Sequence, residues 1–148
     1  MAALTQDRST DYSLGDLLAI PVAAGTRIFA GSLVCSNGSG YAVPADDAAG
    51  YVFEGVATAQ ADNTDGSDGD VTVVVRRRGR FKFDSVESLD QGAQSAQVYA
   101  SDDHTVAADA ASVTNDIAVG VLDKVEGSDE CWVSVDVDVL NTRNWSAS

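Results

Sequence analysis

From Gly15 onward the chain is a series of short apolar runs, broken by Gly, Asn, Asp and Ser. Residues 17–22 (LLAIPV) read as a strand, and Pro21 points to a sheet edge or a strand end, because proline cannot donate to a ladder. Residues 27–29 and 32–35 follow, separated by Ala30-Gly31. The run SNGSG (36–40) is a turn signal, since Asn and Gly accept positive φ at low cost. Residues 41–43 return as a partner strand, and 51–59 (YVFEGVATA) form another, with Gly55 a candidate bulge. A small hairpin is expected from 97–101 and 105–107, then a strand over 117–125. In 131–140 (CWVSVDVDVL), Cys131, Val133, Val135, Val137 and Val139 fall on one face, with Trp132, Ser134, Asp136 and Asp138 on the other. A helical turn fits within 85–95, and 108–113 is the nearest other helical candidate. About nine short strands with frequent turn signals predict an all-β fold, an antiparallel sandwich or barrel. Residues 1–15 are polar and read as an extended arm, 16–140 as a single β domain, and 141–148 as a short tail.

One strand stands out. Residues 71–84 read VTVVVRRRGRFKFD. Alternation puts Arg76, Arg78, Arg80 and Lys82 on one face and Val71, Val73, Val75, Phe81 and Phe83 on the other. Arg77 then falls on the apolar face. Two explanations fit: a bulge at Gly79 re-aims it, or that face is only half buried there.

Charge makes this strand more unusual. The chain has 9 cationic and 23 acidic residues among 148, a net charge of −14, and the ladder with Arg77 holds most of the cations. Same-face neighbours on a strand lie about 6.5–7 Å apart. Their repulsion is roughly 0.6 kcal/mol in water but about 2.5 kcal/mol at an effective dielectric of 20. Covered in an interface, the row therefore needs counter-charges. The acidic stretch 61–70 (ADNTDGSDGD) is one source, and another copy or an acidic partner is the other. Arg favours such pairing because its planar fork grips carboxylates. The acidic field disfavours nucleic acid as a partner. No apolar run approaches the ~20 residues that span a bilayer, and the start has neither a basic region nor an apolar core, so no membrane partner or leader is expected.

Candidate chemistry is sparse. The lone histidine, His104, sits in a DDHT turn where loop polarity explains it without catalysis. No nucleophile elbow, phosphate loop or His/Cys metal spacing occurs, so neither an enzyme nor a cofactor is expected. Asp62, Asp65, Asp68 and Asp70 are oxygen donors at a density that suits Ca²⁺, but their order fits no EF-hand register, and a solvated loop is the expected reading. Cys35 and Cys131 both lie in strand-like apolar contexts and are expected as reduced, buried thiols; a disulfide would require adjacent strands.

The order of motifs along residues 11–137 resembles a family of small head proteins of tailed bacteriophages and Mu-like prophages. The resemblance rests on the AG-rich start, the return GYAVPA, the stretch GVATAQADNTDGSDGDVTVVVRRRGRFKF, then VYASDDHTV and VGVLDKVEGSDECWVSV. The run RRRGRFKF is longer than the single RG.F pattern of that family, and NTRNWSAS lies outside the match. The resemblance implies a capsid decoration, or cement, protein on the outside of the virion head. Its partners would be the major capsid protein and further copies of itself, most commonly in trimers. Arg76, Arg78, Arg80 and Lys82 are then the expected protein-interface residues, with the arm as a second contact. The alternative is an adhesive or carbohydrate-binding surface module using Trp132, Trp145, Tyr41 and Tyr51.

Overall fold

The computed structural model describes residues 2–140, and the structural statements below concern these. The expected tail 141–148, with Trp145, lies outside them. The fold is all-β, as the alternation predicts. Twelve strands appear among the described residues: β1 (Leu17–Pro21), β2 (Thr26–Ile28), β3 (Leu33–Ser36), β4 (Ala42–Pro44), β5 (Val52–Ala57), β6 (Ala61–Asn63), β7 (Thr72–Arg76), β8 (Arg78–Ser85), β9 (Gln97–Ala100), β10 (Thr105–Ala107), β11 (Ala118–Val125) and β12 (Glu130–Asp136). Two single 3₁₀ turns, Gln91–Ala93 and Ala110–Ser112, occupy the two stretches with helical potential, each capped by an aspartate. Residues 2–14 carry no strand or helix.

The strands form a five-stranded sheet in the order β1-β7-β5-β3-β4, a small barrel in the order β10-β8-β12-β11-β9, and the pair β2-β6. Pairing is antiparallel except between β10 and β8, with one isolated parallel bridge, Val22 to Ala42. The sheet is buried on both faces at its centre. In β3, Leu33 and Cys35 point to a core shared with the barrel, whose Phe83, Val98, Leu122, Cys131 and Val133 join them. Val34 points the other way, to a second core with Ile20, Ile28, Ala61, Val73 and Val75 beneath β2-β6. This explains why LVC reads as an unbroken apolar run, the pattern of a strand covered on both sides.

Pro21 lies at a sheet edge, since β1 is outermost. Val22 N–H donates inward to Val71 at 2.8 Å, so alternation turns the nitrogen of Pro21 to the open side, where no donor is needed. Gly55 does mark a bulge: Val34 pairs with Gly55 but Cys35 pairs with Phe53, leaving Glu54 as the extra residue.

Four expectations need correction. The stretch 71–84 is two strands, because the chain leaves the sheet after Arg76 and enters the barrel at Arg78. β8 pairs with β12 in unbroken register from Arg78 to Asp84, so Gly79 hosts no bulge. The stretch 61–70 is not all loop, since its first three residues form β6. The last strand ends at Asp136, and residues 137–140 turn helical; Val137 stays buried, but Val139 is exposed. A period-2 reading fails there because the helical turn rotates successive side chains by a third of a circle rather than a half.

Candidate protein interface

The alternation of the ladder survives its break. Val73, Val75 and Phe83 are buried and Phe81 half-buried, whereas Arg76, Arg78, Arg80 and Lys82 are exposed. Arg76 ends β7 on the sheet; the other three stand on the outer wall of the barrel, on β8.

Their counter-charges come from the same chain, but not from 61–70. β8 lies beside β12, and this brings Asp136 to 4.0 Å and Glu130 to 3.6 Å from Arg78 and Lys82 respectively. Arg78 also meets Asp16, just before β1, at 3.4 Å and Asp138 at 3.5 Å. Arg80 pairs with Asp123 of β11 and lies over the ring of Trp132, 5.6 Å from its centroid. Trp132 is held in turn by its indole N–H, which donates to Glu126 at 3.0 Å. The three barrel cations remain roughly half exposed in these pairs, so each pair is worth less than about 1 kcal/mol. Arg76 has no ion-pair partner among the described residues.

Arg77 is different. Its side chain is only 12% exposed. It donates to the backbone carbonyl and to the carboxylate of Glu54, both at 3.1 Å. Arg77 stands in the break between β7 and β8 rather than on a strand face, and Glu54 and Asp138 cover its side chain there. The acids Glu54, Asp16, Asp123, Glu130, Asp136 and Asp138 were not assigned to the row from sequence. The outward facing of Asp136 and Asp138 was legible, and only the pairing of β8 with β12 was needed to place Asp136 opposite Arg78.

The other acids hold local structure. Asp62 pairs with Arg27 at 2.9 Å and accepts from the backbone and hydroxyl of Thr64. These bonds, that from the Thr64 hydroxyl foremost, bring its pKa down to about 2. Asp68 accepts from Ala24 N–H at 2.8 Å and Asp70 from Ser67 N–H at 2.9 Å. Buried Asn63 donates to the carbonyls of Val22, Ala23 and Ser67, closing the turn. Three of the four loop aspartates therefore fix their own surroundings rather than converging on one point.

His104 sits in the β9–β10 turn, with Nδ1 at 3.1 Å from both Asp102 and Asp103 and Nε2 at 3.8 Å from Asp84. The hydrogen bond to Asp103, then the charge of Asp102, raises its pKa. Cys35 and Cys131 are free and buried. Burial pushes their thiols up to about 12 and about 11, well away from reactive thiolates. Tyr41 and Tyr51 pack against the larger core. No helix among the described residues is long and apolar enough to cross a membrane.

Compared with known protein families, with characterised proteins and with solved structures, the chain matches none.

Proposed function

We infer that this chain is a capsid decoration protein, binding the outside of a tailed-phage head, tying neighbouring major capsid subunits together, and self-associating there, as a trimer in the first instance. The observation that carries the reading is the joining of an unburied arm to a cationic wall. Leu4, Tyr12 and Leu14 in the arm are 73%, 86% and 73% exposed, and the arm root, Asp16, ion-pairs with Arg78 of the wall. Large apolar side chains on a free arm are stabilised only when a partner covers them. A cementing role asks for a rigid body and an adhesive surface, and repeated copies on one particle multiply modest contacts. The motif order resembling small phage head proteins supplies the particular partner.

The test is co-sedimentation with phage heads at low and high salt. Arg78→Glu/Arg80→Glu is expected to release the protein from heads or to disperse its oligomers, and wild-type binding held by the wall is expected to weaken as salt rises. Full decoration by the charge-reversed protein would remove the wall from the interface. Absence of any head binding by the wild type would sink the reading itself.

A further inference from the structure

The barrel wall has a gap. β8 pairs with β12 along its length, but with β10 only at Asp84 and Ser85. Among the described residues, no strand pairs with the opposite edge of β8 from Gly79 to Phe83. Which backbone groups face that edge follows from the ladder. Asp84 N–H donates toward β10, to His104 at 3.1 Å, and Ser85 N–H donates to Asp129 on the other side at 2.8 Å. Alternation then turns the N–H and C=O groups of Arg80 and Lys82 to the open edge.

A crevice of about 340 Å³ lies along this edge, between the barrel and the sheet, lined among others by Gly31, Val56, Thr58, Arg76, Phe81 and Lys82. Its lining mixes the apolar Val56, Phe81 and Phe83 with the cations Arg76 and Lys82, and one side is unpaired backbone. That combination fits an extended peptide with alternating apolar and acidic residues, bound by strand addition. The arm supplies such a segment in Asp11-Tyr12-Ser13-Leu14. Laid beside β8, Tyr12 and Leu14 would share the inner face with Phe81 and Phe83, and Asp11 the outer face with Arg80 and Lys82.

We propose that the open edge of β8 receives residues 11–14 of the arm from a second copy of this chain. Each chain's own arm leaves its crevice empty, with Tyr12 and Leu14 exposed. Tyr12 stands four residues from Asp16, whose carbonyl accepts from Arg77 of its own body, so it reaches at most about 14 Å from that point and the receiving copy must pack against the root of the arm. Charge agrees: Asp11 meets Arg80 and Lys82 on an otherwise acidic molecule, whose copies would repel one another elsewhere. Residues 2–10 stay available for the shell. The inference rests on the proposed self-association but not on head binding.

Two variants of the full chain that each add one cysteine, Tyr12→Cys and Thr58→Cys, test it when mixed and oxidised. Buried Cys35 and Cys131 stay out of reach of the oxidant. A disulfide-linked pair joining the two variants is the expected product. Sedimentation provides the second readout: Tyr12→Ala should weaken self-association at least tenfold, and Tyr12→Phe should restore it. Oligomers without a cross-linked pair would overturn the arm assignment while leaving self-association standing. A monomeric wild type would overturn both, and head binding, measured separately, would be untouched. In the double variant, a disulfide formed only within one chain would show the arm folding onto its own body and would also overturn the proposal.

Discussion

Arg77 and Glu54 join the sheet to the barrel at the point where the chain passes between them. Arg77 lies between β7 and β8, its N–H donating to Asp16 at 2.8 Å and its carbonyl accepting from Val137 at 3.1 Å. Glu54 is the bulged residue of β5, and the bulge aims it at Arg77. The Ser36 hydroxyl donates to the other carboxylate oxygen at 2.8 Å, and Asp138 stands 3.5 Å from the second guanidinium nitrogen. Arg77→Met leaves the largely covered Glu54 carboxylate without its cation, and a loss of about 2–3 kcal/mol in urea unfolding is expected. Arg77→Lys should recover less than half, because an ammonium lacks the second nitrogen that Arg77 sets toward Asp138 while the first serves Glu54. A double-mutant cycle with Glu54→Gln should give a coupling energy above about 1 kcal/mol; additive effects would show the pair to be incidental.

The bulge itself depends on Gly55. Its φ is +150°, and a Cβ there would stand 2.7 Å from the Arg76 carbonyl oxygen. Gly55→Ala combines backbone strain with a contact against main chain that cannot swing aside, so stability should fall by at least about 2 kcal/mol. Thermal melting at fixed pH measures this. A melt within error of the wild type would mean that the bulge relaxes freely.

Charge reversal should separate Arg76 from Arg78. Arg76 has no internal ion pair among the described residues, so Arg76→Glu is expected to change stability by no more than about 0.5 kcal/mol. Arg78 faces Asp16, Asp136 and Asp138, and Arg78→Glu sets a fourth carboxylate among them. Its cost is expected near 1 kcal/mol at low salt and less at high salt, as these groups are about half exposed. Arg76→Glu is therefore the cleaner probe of partner contacts. Equal melting shifts for the two variants would contradict the pairing described.

Much of this architecture is legible in the sequence, and the exceptions share a cause. The faces of VTVVVRRRGRFKFD follow from alternation, the edge position of Pro21 from its missing N–H, and the bulge from a glycine within a strand pattern. The break at Arg77 is hidden, because the chain crosses from sheet to barrel without changing the phase of alternation. The acids opposite the row are hidden too, since Asp16, Asp123 and Glu130 lie 40 or more positions away and meet it only through strand pairing. The neighbouring acidic stretch was the wrong source because Asp62, Asp68 and Asp70 serve Arg27 and nearby backbone N–H groups. At 137–140 the valines keep their spacing while the backbone turns helical, so hydrophobic alternation alone could not reveal the change.

His104 gives the fold a pH dependence of known sign. Its pKa is raised above the ordinary 6.5 by Asp103 and Asp102, with Asp84 contributing. The protonated form is thus favoured by folding. The resulting stability is fully present below pH 6.5 and is lost as pH rises through the higher folded-state value. Asp62 acts oppositely: its depressed pKa contributes stability above pH 3.8 that fades as pH falls toward about 2. His104→Gln should flatten the decline of melting temperature above pH 6.5 and leave the acid limb unchanged. An NMR titration of the single histidine with a midpoint at or below 6.5 would refute the assignment.

The two thiols report on the whole fold. Cys35 lies in β3 and Cys131 in β12, both fully buried in the core that joins sheet to barrel. Burial raises both pKa values, so access and thiolate fraction are suppressed together. A thiol reagent should find no reactive group in the native protein at pH 8 and two in denaturant. Because Cys35 sits in the sheet and Cys131 in the barrel, their labelling rates distinguish two modes of opening. Equal rates that follow the global unfolding equilibrium are expected, since a single core spans both layers. Faster labelling of Cys131 would show that the barrel opens on its own, and the Arg77–Glu54 link would then be too weak to couple the two layers.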